Sequence, residues 1–269
     1  MQEDLLSAAA IETGLDTAWA GHPCVYLDTV DSTNLTARQL AAQGAPHGTL
    51  VVAGEQTAGR GRRGRGWEAA KDENIMMTLL VRPKLPGEQL PQLSLVCAIA
   101  VARGIEHATG LAAQIKWPND VVVEGKKVCG MLLEMTGKDG AADCVAAGVG
   151  INVHQRVFPE AFAQTASSLD VLGGARFDRA EIIRAFLRAF ETRCGQLERG
   201  DWAVLMEEYR MLSATLGKRV RVIGLDGEFV GRAAALEENG ALVVETADGR
   251  QRTVLAGDVS VRGLMGYAG

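Results

Sequence analysis

The distribution of apolar residues divides the longer, N-terminal part of the chain into strands and helices. Apolar runs bounded by turn-forming residues predict buried strands, which cover residues 25–30, 49–55, 74–81, 114–117, 121–123, 128–135 and 144–152. Apolar positions at helical spacing, or an alanine-rich run after capping residues, predict helices over 35–43, 90–109, 178–198 and 202–212. Because strands dominate the middle and helices flank it, we expect an α+β fold whose mixed sheet is covered by helices on one side.

After residue 215 the apolar runs become shorter and turn signals recur about every ten residues. This pattern predicts five short strands, at residues 219–223, 228–236, 241–245, 251–255 and 259–263. Turn dipeptides separate them at Asp226-Gly227, Asn239-Gly240 and Asp248-Gly249, and another turn is predicted at 137–140. We therefore divide the chain into an N-terminal extension (1–21), a central domain (22–215) and a small barrel-like module (216–269).

Composition and charge exclude several classes of protein. The 269 residues carry a net charge of -5, which argues against a general nucleic-acid binder. The five cysteines are widely spaced without a C-x-x-C motif, so neither a disulfide framework nor a zinc site is indicated. The N-terminus lacks the pattern of a signal peptide, and the most apolar stretch (93–102) is too short to cross a bilayer. We expect a cytoplasmic protein that does not enter a membrane.

The strongest chemical signal is a segment rich in arginine and glycine at residues 59–67, here called the arginine loop. It holds four arginines within six consecutive residues. Glycine permits close backbone approach and positive φ angles, whereas arginine supplies permanently charged donors for phosphate or carboxylate. The arginine loop is therefore predicted to be a lid over a phosphorylated ligand. Trp67, at its end, is either a hydrophobic anchor or a stacking surface.

A second signal is the run Lys116-Trp117-Pro118-Asn119-Asp120. A lysine at the end of a strand projects its ammonium group from the rim of the sheet, where ligands usually bind. Lys127 is expected to face the same bend. Simple turn chemistry remains the alternative for Asn119 and Asp120, as does a solvated side chain for Lys127.

Other polar residues have two interpretations each. Ser32, Thr33 and Asn34 are suited either to capping a helix or to facing a small polar ligand group, and Gln56 could add an amide. Asn152 follows a G-x-G that lacks the third glycine of a dinucleotide fingerprint. No Ser-His-Asp or Cys-His arrangement stands out, so the sequence favours nucleotidyl transfer by positioning and charge stabilisation.

In this order, the segments 31–34, 55–67, 116–120, 127–130 and 148–152 resemble the motifs of the biotin protein ligases. The resemblance covers roughly residues 22–213, and the C-terminal module looks like the SH3-like domain of that family. It implies a class II synthetase-like catalytic domain of the biotin/lipoate ligase type. It also implies a two-step reaction. Biotin attacks ATP, with Mg²⁺, to give biotinoyl-5′-AMP and pyrophosphate, and the biotinoyl group then passes to a lysine of a biotin carboxyl carrier protein of acetyl-CoA carboxylase or a related carboxylase.

The resemblance also implies roles for individual residues. Catalysis falls to Arg62 and Lys127, which would stabilise the developing charge. Biotin binding is implied for Ser32, Thr33, Asn34, Gln56, Arg60, Gly61, Arg62 and Lys127. The nucleotide is assigned to Arg65, Trp67, Lys116, Asn119, Asp120 and Asn152. No metal ligand is assigned.

The resemblance leaves alternatives open. A lipoate–protein ligase has related chemistry, and an RNA-associated protein or a nucleotide-binding regulator without transfer activity belongs to other classes. Many bacterial members carry a winged-helix domain before the catalytic core; here only about 22 residues precede it, so we expect a monofunctional ligase that does not bind DNA. An exposed sheet edge could pair with the carrier or with a second copy in a homodimer.

Overall fold

A computed structural model describes residues 5–136, 144–224, 227–256 and 260–263. Within these residues the N-terminal extension and the central domain contain helices and strands in the following order: α1 (Ala8–Glu12), β1 (Cys24–Val30), α2 (Thr33–Ala42), β2 (Leu50–Gln56), β3 (Ile75–Val81), α3 (Gln92–Thr109), β4 (Ala113–Lys116), β5 (Asp120–Val123), β6 (Lys126–Thr136), β7 (Cys144–Ile151), α4 (Leu169–Gly173), α5 (Arg179–Glu198) and α6 (Trp202–Leu212).

The seven strands form one mixed sheet in the order β1-β2-β3-β7-β6-β5-β4. Strands β1 and β2 are parallel, and the remaining neighbours are antiparallel. The predicted mixed α+β fold is confirmed. Helices α1 and α4 escaped prediction because each has only five residues, too few to show a helical period.

Strand β3 explains how the sheet positions a site on one face and a core on the other. Every residue of β3 is buried, and all of them except Thr78 are apolar, as expected for a strand covered on both faces. Ile75, Met77 and Leu79 belong to the hydrophobic core that also includes α3 and α5. Because side chains alternate along a strand, Thr78 projects to the opposite face, where its hydroxyl contacts the start of α2.

One carboxylate links the three long helices on the core side of the sheet. Glu208 of α6 accepts hydrogen bonds from Arg103 of α3 at 2.7 Å and from Arg193 of α5 at 2.7 and 2.9 Å. Burial by itself would raise the pKa of Glu208, but the hydrogen bonds from the two guanidinium groups outweigh it and the pKa is lowered. Glu208 thus stabilises the helical layer as an anion.

The C-terminal module is a separate antiparallel sheet of five strands in the order β11-β10-β9-β8-β12. These strands are β8 (Arg219–Gly224), β9 (Gly227–Leu236), β10 (Leu242–Thr246), β11 (Gln251–Val254) and β12 (Ser260–Gly263). The prediction of a small five-stranded module is confirmed, while the domain boundaries at 21/22 and 215/216 stay predictions. Parts of the predictions lie outside the described residues, namely residues 1–4, the turn at 137–140, Asp226, Val259 and residues 264–269.

The module contacts the central domain beside the lysine-tryptophan run. The Trp117 indole donates to Gly240 O at 3.0 Å, and the Gln92 amide donates to Glu238 O at 2.9 Å. Both bonds fasten the turn between β9 and β10 onto the central domain. Among the described residues, no helix has the length and apolar character needed to span a bilayer.

Candidate active site

A cavity of about 530 Å³ opens where the arginine loop meets the sheet. Its lining includes all the residues singled out from the sequence: Ser32, Thr33, Asn34, Gln56, Arg60, Gly61, Arg62, Arg65, Trp67, Lys116, Asn119, Asp120, Lys127 and Asn152. Segments that are far apart in sequence therefore share one cavity, as predicted. The role of each residue stays a prediction.

The arginine loop is folded as a small hairpin. Arg60 and Gly66 form an isolated antiparallel bridge, Gly61 N–H donates to Arg65 O at 2.7 Å, and Trp67 N–H donates to Gly59 O at 3.0 Å. A side chain at Gly59 would collide with the Trp67 carbonyl. Glycine is therefore required there so that the two ends of the loop can approach each other.

Trp67 fastens the arginine loop to the sheet. Its ring lies against Gly130 of β6 and Gly150 of β7, where a Cβ atom would come within 2.9 and 2.5 Å of ring atoms. The Lys127 ammonium lies 5.6 Å from the centroid of the ring, at the distance of a cation–π contact. Of the two interpretations of Trp67, the geometry favours the hydrophobic anchor.

Charged groups cluster beside this anchor. Asp120 Oδ1 lies 2.6 Å from Lys127 Nζ, and its other oxygen lies 3.9 Å from Lys116 Nζ. Arg62 Nη1 donates to Asn119 Oδ1 at 3.0 Å. Lys116, Lys127 and Arg62 bring three positive charges to this end of the cavity, against the one negative charge of Asp120. This end is therefore suited to bind an anion.

The positive charges also act on one another. Burial lowers the pKa of Arg62; Asp120 opposes this shift, and Arg63 and Arg65 add to it. A partly buried guanidinium that is crowded by other cations gains from an incoming anion, because the anion offsets both the burial and the repulsion.

Asn119 and Asp120 are not only turn residues. Asn119 Nδ2 donates to Met131 O at 2.6 Å, which leaves its carbonyl oxygen to hold Arg62. Asp120 is 7 % exposed and lies between two ammonium groups. Both residues organise the cationic end of the cavity, so the turn interpretation alone is insufficient.

The part of the cavity at the start of α2 is lined by polar side chains that carry no charge. Ser32 occupies the N-cap position, but its side chain forms no capping hydrogen bond. Gln56 takes over that function, because its Oε1 accepts from Thr33 N at 2.8 Å and from Thr33 Oγ1 at 3.0 Å. Ser32 therefore lines the cavity without serving as the cap that the sequence suggested.

The side-chain amide of Asn34 forms hydrogen bonds to other residues of the protein. Its Nδ2 donates to Leu132 O at 3.1 Å and to Glu134 Oε2 at 2.8 Å, and its Oδ1 lies 2.7 Å from Thr78 Oγ1. The side chain thus fastens α2 to β6 and β3. A ligand that contacts Asn34 would therefore meet an amide whose nitrogen and oxygen are already hydrogen-bonded within the protein.

A segment that sequence reasoning missed completes the lining. Residues 157–166, here called the wall segment, contribute Phe158, Pro159, Ala161, Phe162, Thr165 and Ala166. They are held to β6 because Lys127 N–H donates to Thr165 O at 2.8 Å. Asn152 supports the same region by donating from Nδ2 to Ser167 O at 3.1 Å. The only signal in the sequence was the position of this segment directly after the motif at 148–152.

Lys116 connects the cavity to the C-terminal module, since its Nζ donates to Val261 O at 3.1 Å and Val261 itself lines the cavity. Within the part of the chain that the structure describes, no group of three or more His, Cys, Asp or Glu side chains could hold a metal ion.

Comparison with known proteins identifies the family. Residues 26–152 match the model of the biotin/lipoate A/B protein ligase family, and residues 215–262 match that of the biotin protein ligase C terminal domain. The chain is 39 % identical over 246 residues to the bifunctional ligase/repressor BirA of Bacillus subtilis, covering 91 % of this chain and 76 % of that protein. This chain belongs to the biotin protein ligases.

Other members of the family agree with this assignment. The biotin–[acetyl-CoA-carboxylase] ligase of Mycobacterium tuberculosis is 36 % identical over 249 residues, which cover 89 % of this chain and 90 % of that protein. The Aquifex aeolicus biotin protein ligase in complex with biotin and ATP is 31 % identical, with a TM-score of 0.78 over 89 % of this chain and 98 % of that chain. The predicted class of ATP-dependent ligase is confirmed, and the matches favour biotin ligases over the lipoate alternative.

Proposed function

We propose that this protein activates biotin with ATP and then transfers the biotinoyl group to a lysine of a biotin carboxyl carrier protein. The observation that carries the proposal is one cavity lined both by the cations Arg62, Lys116 and Lys127 and by the polar side chains of Ser32, Thr33 and Gln56. A ligand with a carboxylate at one end and a polar ring at the other fits this division. The Aquifex aeolicus ligase, which holds biotin and ATP, supports it.

In the first step, a carboxylate oxygen of biotin attacks the α-phosphorus, and the bond from that phosphorus to the pyrophosphate oxygen breaks. Negative charge is redistributed over the non-bridging oxygens and the leaving pyrophosphate. Arg62 and Lys127 stabilise this charge from positions that are held by Asn119 and Asp120. Asp120 serves as the counter-ion of Lys127 until the anionic substrates bind.

Biotin lies at the start of α2. Ser32 and Thr33 offer hydroxyl groups, Gln56 offers an amide, and the backbone from Arg60 to Arg62 borders the ring system. The ureido group of biotin has two N–H donors and one carbonyl acceptor, so it requires partners of both kinds. The Ser32 hydroxyl can satisfy either need, the Gln56 Nε2 can donate, and the Thr33 hydroxyl, which already donates to Gln56 Oε1, can accept.

The nucleotide lies towards Lys116, Arg65 and Asn152, with Asn119 and Asp120 at its phosphates. Magnesium enters with ATP as part of this substrate. Trp67 closes the arginine loop behind the ligands, and the loop protects the mixed anhydride from hydrolysis until the carrier arrives.

In the second step, the neutral amine of the carrier lysine attacks the acyl carbon, the bond to the phosphate oxygen breaks, and AMP leaves. The nitrogen loses a proton as the amide forms. We propose that the protein meets the carrier in the cytoplasm. Strand β1 lies at one edge of the central sheet and is the proposed docking site for the carrier or for a second copy in a homodimer.

The test is incubation of the purified protein with biotin, Mg²⁺, ATP and a carrier domain, followed by intact-mass measurement. We expect the carrier to gain one biotinoyl group, and a carrier with arginine in place of the acceptor lysine to gain none. A parallel incubation with lipoate should leave the carrier unchanged. If active components give no mass gain with biotin, the proposed function is wrong.

A further inference from the structure

Outside the cavity, hydrogen bonds join the stretch that follows the arginine loop to the stretch that precedes the wall segment. The arginine loop runs on through residues 68–74 into β3, and the wall segment follows β7 after residues 152–156. Asn74 and Gln155 connect these two stretches, and neither residue lines the cavity. They therefore act on any ligand only through the segments that they hold.

Asn74 is 1 % exposed and lies immediately before β3. Its Oδ1 accepts from Val153 N–H at 2.9 Å, and its Nδ2 donates to Gln155 Oε1 at 2.5 Å. The side chain thus uses both ends of its amide to bind the stretch that follows β7.

Gln155 is 6 % exposed and extends the connection in both directions. Its Oε1 also lies 3.5 Å from Ala70 N, just beyond the arginine loop, and its Nε2 donates to Val157 O at 2.9 Å, the first residue of the wall segment. A backbone bond from His154 N–H to Glu73 O at 2.9 Å runs alongside.

We propose that Asn74 and Gln155 are a positioning pair that couples the arginine loop to the wall segment, so that biotin and nucleotide strengthen each other's binding. Both amides are buried, so a displacement of either segment would leave donors and acceptors without partners. A ligand that fixes one segment therefore reduces the cost of fixing the other for the second ligand. This inference rests on the proposed function, because it requires that both ligands bind in the cavity.

A merely structural amide pair would stabilise the fold without changing how one ligand affects the other. The coupling factor separates the two roles. It is the ratio of the Kd of biotin measured alone to its Kd in the presence of a non-hydrolysable ATP analogue. This ratio is insensitive to a uniform loss of stability, because both values come from the folded protein.

The experiment measures the coupling factor by calorimetry in the full-length protein and in Gln155→Met, which keeps the side-chain length and removes the amide. We expect the analogue to tighten biotin binding in the wild type and the factor to fall about five-fold in the variant. That change corresponds to one buried hydrogen bond of about 1 kcal/mol.

Thr49→Val is the matched control. Thr49 is 2 % exposed and donates one side-chain hydrogen bond, to Pro46 O at 2.8 Å; it lies immediately before β2, whose other end is Gln56. This control should lose stability but keep the wild-type factor. A wild-type factor of one, or an unchanged factor in Gln155→Met, would overturn the coupling. Failure of the wild type to bind either ligand would instead overturn the proposed function.

Hydrogen exchange of the wild type gives a second test that needs no variant. Saturating biotin alone should slow amide exchange at residues 155–157 as well as at 59–67. Slowed exchange at 59–67 alone would contradict the coupling.

Discussion

Substitution of Gly150 by alanine should displace Trp67 and open the arginine loop. A Cβ atom at this position would lie 2.5 Å from Trp67 Cε2, 2.7 Å from Cζ2 and 2.8 Å from Nε1. Ordinary carbon–carbon contacts require about 3.5–4.0 Å, so the ring must move by roughly 1 Å. Strand β7 cannot yield instead, because it lies between β3 and β6 in the sheet.

The cost of this displacement can be bounded. Overpacking of a well-packed site costs about 1–3 kcal/mol. Since about 1.4 kcal/mol corresponds to a factor of ten, the kcat/KM of adenylate formation should fall by roughly 5- to 150-fold. The melting temperature should change little, because the arginine loop can lift away and relieve the clash.

The assay follows pyrophosphate release with biotin and ATP in the absence of carrier. After the first turnover, Gly150→Ala should release pyrophosphate continuously, because water reaches the unprotected adenylate. Gly87→Ala is the control, since a Cβ at Gly87 would contact nothing within 4 Å. Wild-type kinetics in Gly150→Ala would refute the role of Trp67 as the anchor of the lid.

Three further predictions concern charge and burial. Lys127→Met should reduce adenylate formation by about 100-fold or more, the typical cost of losing one stabilising charge, while circular dichroism shows a native fold; an adenylation rate close to wild type would exclude the assigned role. Cys129 should resist iodoacetamide in the native protein, because burial raises its thiol pKa well above the ordinary value, and peptide mass analysis should find it alkylated only after unfolding. Glu208→Gln should destabilise the protein by about 1–3 kcal/mol at pH 7. Because the pKa of Glu208 is lowered in the folded state, its contribution is present above its unfolded pKa of about 4.3 and is lost as the pH falls through the folded value. Denaturant titrations should therefore show the difference between wild type and variant closing in acid; a constant difference would contradict the ionised network.

The sequence predicted the sheet and the long helices because each has a local signature, whereas most members of the cavity were assigned through the resemblance to the biotin protein ligases. Strand β3 is apolar at every position except Thr78, and the arginine loop has an uncommon composition. Other features depend on contacts between distant segments and have no such signature. Gln56 caps α2 in place of Ser32, and Asn34 is engaged by Glu134.

The wall segment was missed for the same reason. It has neither helical nor strand periodicity, and its place in the cavity is set by pairing with Lys127. The bonds of Asn74 to Val153 and Gln155 join residues about 80 positions apart. Such long-range pairs become visible only in the folded chain.

Arg62 and Lys127 are proposed to act together on the junction between biotin and nucleotide. A crystal structure with a non-hydrolysable analogue of biotinoyl-5′-AMP tests this most directly. We expect both cationic groups within hydrogen-bonding distance of the acyl–phosphate linkage, with the Lys127 ammonium drawn away from Asp120. An analogue whose linkage lies outside the reach of both side chains would contradict the account.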